Sequence, residues 1–343
     1  MYKNLIVLAT TAVFLTFSYT VNAQTAVDHL NELTEAFGSL KKDTWSYLKS
    51  VTKGKGARKV DKQRQKLISE YTAQKNKVMK SKGYNGDTSL KEAVLAYLDL
   101  SRTVLKEDFD KILDMEDIAE QSYDAMEAYM LATEKANDKM NTAFEDIQTA
   151  QNKYCEANDI KITEGENDKL TEKIRKANEM LKYYNVIYLI YFKPYKQEMY
   201  AIDAMNRGDV SGIEQNATSL GKLAEEASVK LKEAGAYRGD GSLRLGAEEL
   251  LKFYRTEAKD DFPAIVDFYI KKDNFEKVEA MVNSKSEKKR TKEDIDQYNA
   301  AADAYTKAVN IFNAKNDAMN AKRSKLLDMW NKKVERFYEV HGN

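Results

Sequence analysis

The chain has very little of the residues that break helices or cross-link small folds. Its 343 residues include only 2 prolines, 14 glycines and 1 cysteine. So few prolines and glycines, together with 32% charged residues, are typical of an all-α protein. A single cysteine cannot form an internal disulfide, so the fold must depend on packing. Cys155 is predicted to be a half-buried helix residue, with an intermolecular disulfide as the alternative.

The chain also lacks the patterns of common active sites. It has only two histidines, His29 and His341, and no HExxH, CxxC, GxSxG or glycine-rich phosphate loop. These absences predict no catalytic residue, no metal site and no cofactor. The carboxylates have lysines three or four residues away, as on solvated helix faces. A carboxylate-only metal site or a glycosidase pair remains as the alternative.

No excess of charge of either sign is present. The chain has 55 lysines and arginines against 55 aspartates and glutamates. This balance gives no electrostatic reason to expect nucleic acid or an anionic membrane as the partner. Beyond the N-terminal segment, no apolar run is long enough for a transmembrane helix.

Residues 1–23 have the pattern of a secretory signal peptide. Lys3 precedes a short apolar core, and Val21 and Ala23 are small residues at the −3 and −1 positions of a cleavage site before Gln24. The alternative is a membrane anchor, for which the apolar run is short. No cysteine follows the cleavage site, so lipidation is not expected. The pattern predicts an exported protein, in the periplasm or at the cell surface.

One stretch of the chain recurs at an offset of 153 residues (237 less 84). Residues 84–112 align without gaps to residues 237–265 and share 12 identities, beginning with the phrases GYNGDTSL and AYRGDGSL. The identical residues in the first copy are Tyr84, Gly86, Asp87, Ser89, Leu90, Leu98, Arg102, Thr103, Lys106, Asp108, Phe109 and Ile112. Further on, NDKMN from Asn137 matches NDAMN from Asn316 at an offset of 179. The second copy therefore has an extra segment near residues 270–298.

This repeat predicts the architecture. We expect two tandem four-helix-bundle-like repeats of long helices, with boundaries at residues 24–163 and 164–343 and about eight helices in all. The repeated phrase is predicted to join the second helix of each copy to the third. In it, a left-handed glycine ends one helix, and an aspartate or serine caps the next. A binding role for the phrase is the alternative.

An arginine recurs on the predicted core face of the third helix. The apolar residues of that face in the first copy are Leu98, Leu105, Phe109 and Ile112. Arg102 lies on the same face, and Arg255 repeats it. Because a buried arginine needs a partner, we predict a structural ion pair from each to a carboxylate of a neighbouring helix. An anion-binding arginine is the alternative.

The most unusual stretch is MLKYYNVIYLIYFKPYKQEMY, residues 180–200. Four tyrosines form one helical stripe there, namely Tyr184, Tyr188, Tyr191 and Tyr195. With Ile187 and Ile190 on the adjacent face, the helix is predicted to be widely buried, and Pro194 is predicted to kink or end it. The alternatives are a tyrosine-lined groove for a ligand or sugar and a membrane-inserting segment.

The second copy resembles a known family. Its segment AYRGDGSLRLGAEELLKFYRTEAKDDFPAIVDF, followed by TKEDIDQYN and a long charged helix, is similar to exported bacterial helical surface proteins related to a spirochaete surface antigen. The residues that carry the family's Tyr-x-Gly-Asp turn and helix motifs are Tyr237, Gly239, Asp240, Leu251, Phe253, Tyr254, Asp294 and Ile295. The first copy departs from the pattern at Leu100 and Ser101. The resemblance implies a helical fold and an envelope or surface location, and it implies no activity, cofactor or substrate.

The sequence therefore predicts an exported, non-enzymatic helical envelope protein with a structural or partner-binding role. Its partner would be an unknown envelope protein or a small ligand. The alternative is a periplasmic ligand or glycan binder, or a sensor, that uses the stripe from Tyr184 to Tyr195. An exposed stripe would favour that binder, and a buried stripe favours the scaffold. A carboxylate enzyme is the third hypothesis.

Overall fold

The computed structural model describes residues 17–20, 24–53, 57–108, 119, 121–164 and 169–342. Most of the predicted signal peptide, including Lys3, Val21 and Ala23, lies outside these residues. Phe109 and Ile112 of the predicted helix face also lie outside them. Within the described ranges nearly every residue is helical, so the predicted all-α class is confirmed.

The described residues form ten α-helices and a short ribbon. The first five helices are α1 (Gln24–Thr34), α2 (Ala36–Thr52), α3 (Ala57–Lys80), α4 (Ser89–Thr103) and α5 (Tyr123–Ala157). The next five are α6 (Lys169–Arg207), α7 (Val210–Ala234), α8 (Ser242–Thr256), α9 (Phe262–Asn283) and α10 (Lys292–His341). The ribbon pairs β1 (Phe17–Thr20) with β2 (Lys161–Glu164) in antiparallel register, Phe17 opposite Glu164. Helix α1 begins at Gln24, the residue predicted to follow the cleavage site.

The chain divides into two compact units. Unit 1 comprises Met1–Asn185 and Val334–Asn343, and unit 2 comprises Val186–Lys333. Helices α6 and α10 therefore each contribute residues to both units. The two tandem bundle repeats at 24–163 and 164–343 stay a prediction. The predicted extra segment near 270–298 covers the end of α9, a connection with one 3₁₀ turn (Glu287–Lys289), and the start of α10.

In unit 1, α2 packs on α3, α3 on α4, and α4 on α5. Apolar residues at helical spacing provide its core, including Leu40, Leu48, Leu67, Leu98 and Met140, each with no exposed surface. Cys155 of α5 is only 1% exposed, so it is fully buried and not half-buried. This burial does not favour the alternative of an intermolecular disulfide.

Unit 2 has a core of the same kind. Helix α8 packs on α7, and α9 packs on α7 as well. The buried side chains include Leu220 of α7, Leu250 and Tyr254 of α8, and Phe262 and Ile265 of α9. Large apolar and aromatic side chains like these each contribute roughly 1.5–3 kcal/mol when fully buried.

The repeated phrase forms the same tight turn in both places. In the first copy, Tyr84 and Asp87 exchange backbone hydrogen bonds of 3.0 and 2.9 Å around a two-residue loop, Asn85–Gly86, whose φ values are both positive. In the second copy, the Tyr237–Asp240 pair encloses Arg238 and Gly239, again with positive φ. Two consecutive positive φ angles are the signature of a type I′ turn. Both copies thus contain a left-handed glycine, but Gly86 and Gly239 lie inside the turn and do not end a helix, since α3 ends at Lys80 and α7 at Ala234. Of the glycines near the helix ends, Gly235 has a positive φ, whereas Gly83 does not.

The cap of the following helix is also the same. The Asp87 carboxylate accepts a hydrogen bond from the Ser89 backbone N–H at 2.8 Å, and Asp240 accepts one from Ser242 at 2.7 Å. Helices α4 and α8 then run for 15 residues each, and a five-residue π-helix follows each of them. These π-helices are Val104–Asp108 and Glu257–Asp261. The described part of the aligned segment therefore has one local conformation in both copies.

Candidate functional site

The tyrosine stripe lies mostly in the interior. Tyr184, Tyr188 and Tyr191 are 2%, 3% and 5% exposed, while Tyr195 is half-buried. On the adjacent face, Ile187 is fully buried and Ile190 is half-buried. The prediction that α6 is widely buried here agrees with these exposures. The helix does not end at Pro194, which lies inside α6, so that alternative was wrong.

The tyrosine rings pack against other rings. Tyr191 contacts Trp330 of α10 edge to face, with ring centroids 4.6 Å apart. Tyr188 stacks on Phe192 at 5.4 Å and meets the edge of Tyr191 at 5.3 Å. Offset and edge-to-face pairs at these distances are the favourable geometries for aromatic side chains. Tyr188, Tyr191 and their ring partners belong to unit 2, whereas Tyr184 belongs to unit 1.

The two repeated arginines form ion pairs, but with carboxylates of their own helices. Arg102 is 32% exposed and pairs with Asp99, three residues earlier in α4, at 3.3 Å. Arg255 is 25% exposed and pairs with Glu248 of α8 at 2.9 Å. The prediction of a carboxylate from a neighbouring helix was wrong for both. A long guanidinium side chain can lie back along its own helix and reach a partner one or two turns away.

Uncharged groups of α7 connect Arg255 to that neighbouring helix. Its Nη1 donates to the Ser228 hydroxyl and to the Ala224 carbonyl, both of α7. The Ser228 hydroxyl in turn bonds the Glu248 carboxylate at 3.2 Å. Arg255 therefore links α8 to α7 through a small closed network, whereas Arg102 has the Asp99 contact on its own helix.

A buried cluster that the sequence analysis did not single out lies in unit 2. Arg323 of α10 donates to Glu198 of α6 at 2.5 Å through Nε, and to Glu257 of the second π-helix at 2.8 Å through Nη2. Both glutamates are 0% exposed, and Arg323 is 12% exposed. One guanidinium thus faces two buried carboxyl groups, which we call the buried acid pair.

The charges of this cluster do not balance unless one carboxyl keeps its proton. The second oxygens, Glu198 Oε2 and Glu257 Oε2, are buried and receive no hydrogen bond from a nitrogen or hydroxyl donor. Two ionised carboxyl groups beside a single guanidinium would leave one buried negative charge uncompensated, so we expect one of the two to keep its proton. Burial, and then the nearby Glu198 charge, raise the pKa of Glu257 to about 11. Burial likewise raises the pKa of Glu198, against the attraction of Arg323.

A buried tyrosine and a further ion pair lie near the acid pair. Tyr254 is fully buried beside it, and burial followed by the Glu198 charge raises the pKa of its phenol well above the ordinary value. Lys315 pairs with Asp261, in the same π-helix, at 2.6 Å. Among the described residues, no histidine or cysteine lies in the cluster. Over the described ranges, no group of three or more His, Cys, Asp or Glu side chains is placed to hold a metal ion.

The sequence carries a weak signal for this cluster. Glu198 is the one acidic residue of the tyrosine segment of α6, whose other charged residues are lysines. Glu257 opens the stretch EAKDDF, at the position where the first copy has the apolar Val104. Arg323 comes from a long charged helix, in which nothing separates it from its solvated neighbours. The pattern could have flagged the two glutamates, but not their common partner.

The chain has neither a candidate membrane-spanning helix among its described residues nor a match to a known protein. No helix in the described residues has an apolar stretch that is long enough, and free enough of charged residues, to cross a bilayer. No protein-family model matches the chain, and neither a curated protein nor a solved structure matches it. The resemblance to the spirochaete surface antigen family therefore rests on the quoted motifs and stays a prediction.

Proposed function

We propose that this chain is an exported, non-enzymatic helical protein of the bacterial envelope with a structural or partner-binding role. The observation that supports this role best is the burial of the tyrosine stripe, since three of its four rings are at most 5% exposed. Aromatic groups that bind sugars must offer a ring face to solvent, and these rings offer theirs to other side chains of the core. The stripe therefore stabilises the fold.

The location is supported by the leader pattern and by the resemblance. Lys3, the apolar core and the Val21/Ala23 pair predict cleavage before Gln24. Every described helix lies at or after Gln24, so cleavage there would leave all of them intact. The motifs shared with exported surface proteins point to the same compartment.

Sequencing the N-terminus of the exported protein tests the location. The chain is expressed in a bacterium, the periplasmic, surface and cytoplasmic fractions are separated, and the mature form should begin at Gln24. The control is Ala23→Arg, which places a large charged residue at the −1 position and should leave the leader attached. Recovery of the intact wild-type chain in the cytoplasm would contradict the proposal.

A substitution in the stripe tests the structural role. Tyr188→Ala should cost ~3–5 kcal/mol, as large aromatic-to-alanine changes in cores do. Tyr200→Ala is the matched control, because Tyr200 lies on the same helix and is 42% exposed. It should change stability by less than about 1 kcal/mol. If Tyr188→Ala keeps the wild-type melting temperature and the tyrosine fluorescence of the wild type responds to added glycans, the stripe is a binding surface instead.

A further inference from the structure

Unit 1 contains a cavity lined by basic residues. It has a volume of about 590 Å³ and lies between the second half of α2 and the first turns of α3. Four exposed lysines line it, Lys49 of α2, Lys53 directly after α2, and Lys59 and Lys62 of α3, together with two serines and Gln63. No aspartate or glutamate belongs to its wall. We call it the lysine cavity.

The lysines of this cavity differ from the other basic residues of the same helix pair. Farther along, Lys66 of α3 pairs with Asp43 of α2 at 2.5 Å, and Lys77 of α3 pairs with Glu35 at 2.6 Å. Asp61 lies between the two cavity lysines of α3 in sequence, but its carboxylate is taken by Arg64 at 2.8 Å. Within the described part of the chain, none of the four cavity lysines has a carboxylate within ion-pair distance.

The start of α3 adds positive potential to the cavity. The first turn of a helix carries unpaired N–H groups and the positive end of the helix dipole, and acidic residues are favoured there. Helix α3 has no acidic residue in its first turn and has Arg58 and Lys59 instead. These cations lower the stability of the helix start, and an anion bound in the cavity would reverse that loss.

The sequence around the cavity is also mainly basic. From Lys49 to Lys66 there are eight lysines and arginines and a single acidic residue, Asp61. Over the whole chain the two signs are equal, at 55 each. The positive charge is therefore a local feature of the α2–α3 pair, which net charge alone conceals.

From this arrangement we infer that the lysine cavity binds a ligand that carries two or more phosphate groups. Ammonium groups bind phosphate oxygens as point charges. Four of them match the charge of at least two phosphates. The volume lies within the range of small-ligand pockets. This inference deepens the proposed partner-binding role and rests on it, but it does not depend on export.

Titration of the purified full-length mature chain tests the inference with two probes at low salt. One probe is inorganic tripolyphosphate, followed by calorimetry, and the other is vesicles of equal parts phosphatidylglycerol and phosphatidylcholine, followed by flotation. Lys53→Gln/Lys59→Gln should weaken binding at least ~10-fold, since it removes one charge from each wall of the cavity. The control, Lys230→Gln/Lys232→Gln on α7, removes the same charge from an exposed helix and should change affinity by less than about 2-fold.

The outcomes of the two titrations support or contradict the inference as follows. Binding of tripolyphosphate identifies a soluble oligophosphate as the ligand class, and binding of vesicles alone identifies lipid headgroup phosphates; either supports the inference. It is overturned if the wild type binds neither probe, or if both double variants lose affinity equally. If the chain is exported and cleaved before Gln24 but binds neither probe, the inference about the lysine cavity is wrong and the proposed location still stands.

Discussion

The buried acid pair makes a prediction about the pH dependence of stability. In the folded state one proton stays on the pair over a wide pH range, because the pKa of Glu257 is raised to about 11, first by burial and then by the Glu198 charge. In the unfolded chain this glutamate ionises near its ordinary pKa of 4.5. Raising the pH through this window therefore favours the unfolded state, which releases the proton.

The size of the effect follows from the proton count. A difference of one bound proton between folded and unfolded states changes stability by ~1.4 kcal/mol per pH unit. Glu257→Gln removes the titrating group but keeps an oxygen to accept from Arg323 and an amide to donate to Glu198. Below about pH 4.5 the variant and wild type should unfold alike. Between pH 5.5 and 8.5 the free energy of unfolding of the variant should rise by ~4 kcal/mol relative to that of the wild type.

The assay can be restricted to unit 2. The chain has 2 tryptophans, Trp45 in unit 1 and Trp330 in unit 2, and Trp330 is only 2% exposed. In a Trp45→Phe background, Trp330 fluorescence during urea unfolding reports on the unit that holds the acid pair. Glu249→Gln, an exposed change on α8, is the control and should leave the pH slope unchanged. Equal pH slopes for Glu257→Gln and its parent would mean that both carboxyls are charged in the folded state, and the reasoning would fail.

Two further predictions concern backbone and side-chain contacts. Gly86 has a φ of +83° and Gly38 lies in α2, and neither has an atom within 4 Å of an added Cβ. Gly86→Ala should thus destabilise unit 1 by about 1–2 kcal/mol, because alanine is strained at a positive φ. Gly38→Ala should stabilise unit 1 by about 0.5–1 kcal/mol, because alanine favours a helix. A Gly86→Ala variant as stable as the wild type would contradict the left-handed turn. Arg255→Ala, which breaks a network to α7, should cost ~1–2 kcal/mol, against less than about 0.5 kcal/mol for Arg102→Ala, both measured by urea unfolding. Equal losses would show that the contact to α7 contributes nothing.

The sequence predicted the local structure well, because local structure depends on local patterns. The scarcity of proline and glycine and the helical spacing of apolar residues were enough for the all-α class. The repeated phrase predicted a turn with a left-handed glycine, but it did not predict that Gly86 and Gly239 would lie inside a two-residue turn and not at a helix end. Asn85 and Arg238 also adopt positive φ, and nothing about an arginine at that position indicates this. It follows from the backbone hydrogen bonds that close the turn.

Partners across the fold could not be predicted, because they depend on which helices meet. Periodicity placed Arg102 and Arg255 on a helix face, but it could not show how far each side chain reaches along that face. The acid pair joins Glu198 to Arg323, which lie 125 residues apart. The lysine cavity depends on the packing of α2 against α3, and a balanced overall charge hides it.

The predicted repeat gives a comparison for the acid pair within the same chain. At the offset of 153, Glu198 aligns with Trp45 (198 less 153) and Glu257 with Val104 (257 less 153). At the offset of 179, Arg323 aligns with Phe144 (323 less 179). Apolar residues therefore stand at all three aligned positions of the first copy. This suggests that the helix arrangement around the π-helix does not itself require the charges.

Replacing the three charged residues separately and together tests whether they are needed for folding. Arg323→Met alone leaves two buried carboxyls without their cation and should cost ~3–5 kcal/mol at neutral pH. The triple variant Glu198→Leu/Glu257→Val/Arg323→Met leaves no buried charge and should be as stable as the wild type, or more stable by ~1–4 kcal/mol. Urea unfolding followed by Trp330 fluorescence measures both variants. If the triple variant is as unstable as Arg323→Met, the packing of unit 2 depends on the ion pairs themselves. If it is more stable, the buried charges of the cluster cost unit 2 stability, as buried ion pairs often do relative to apolar side chains.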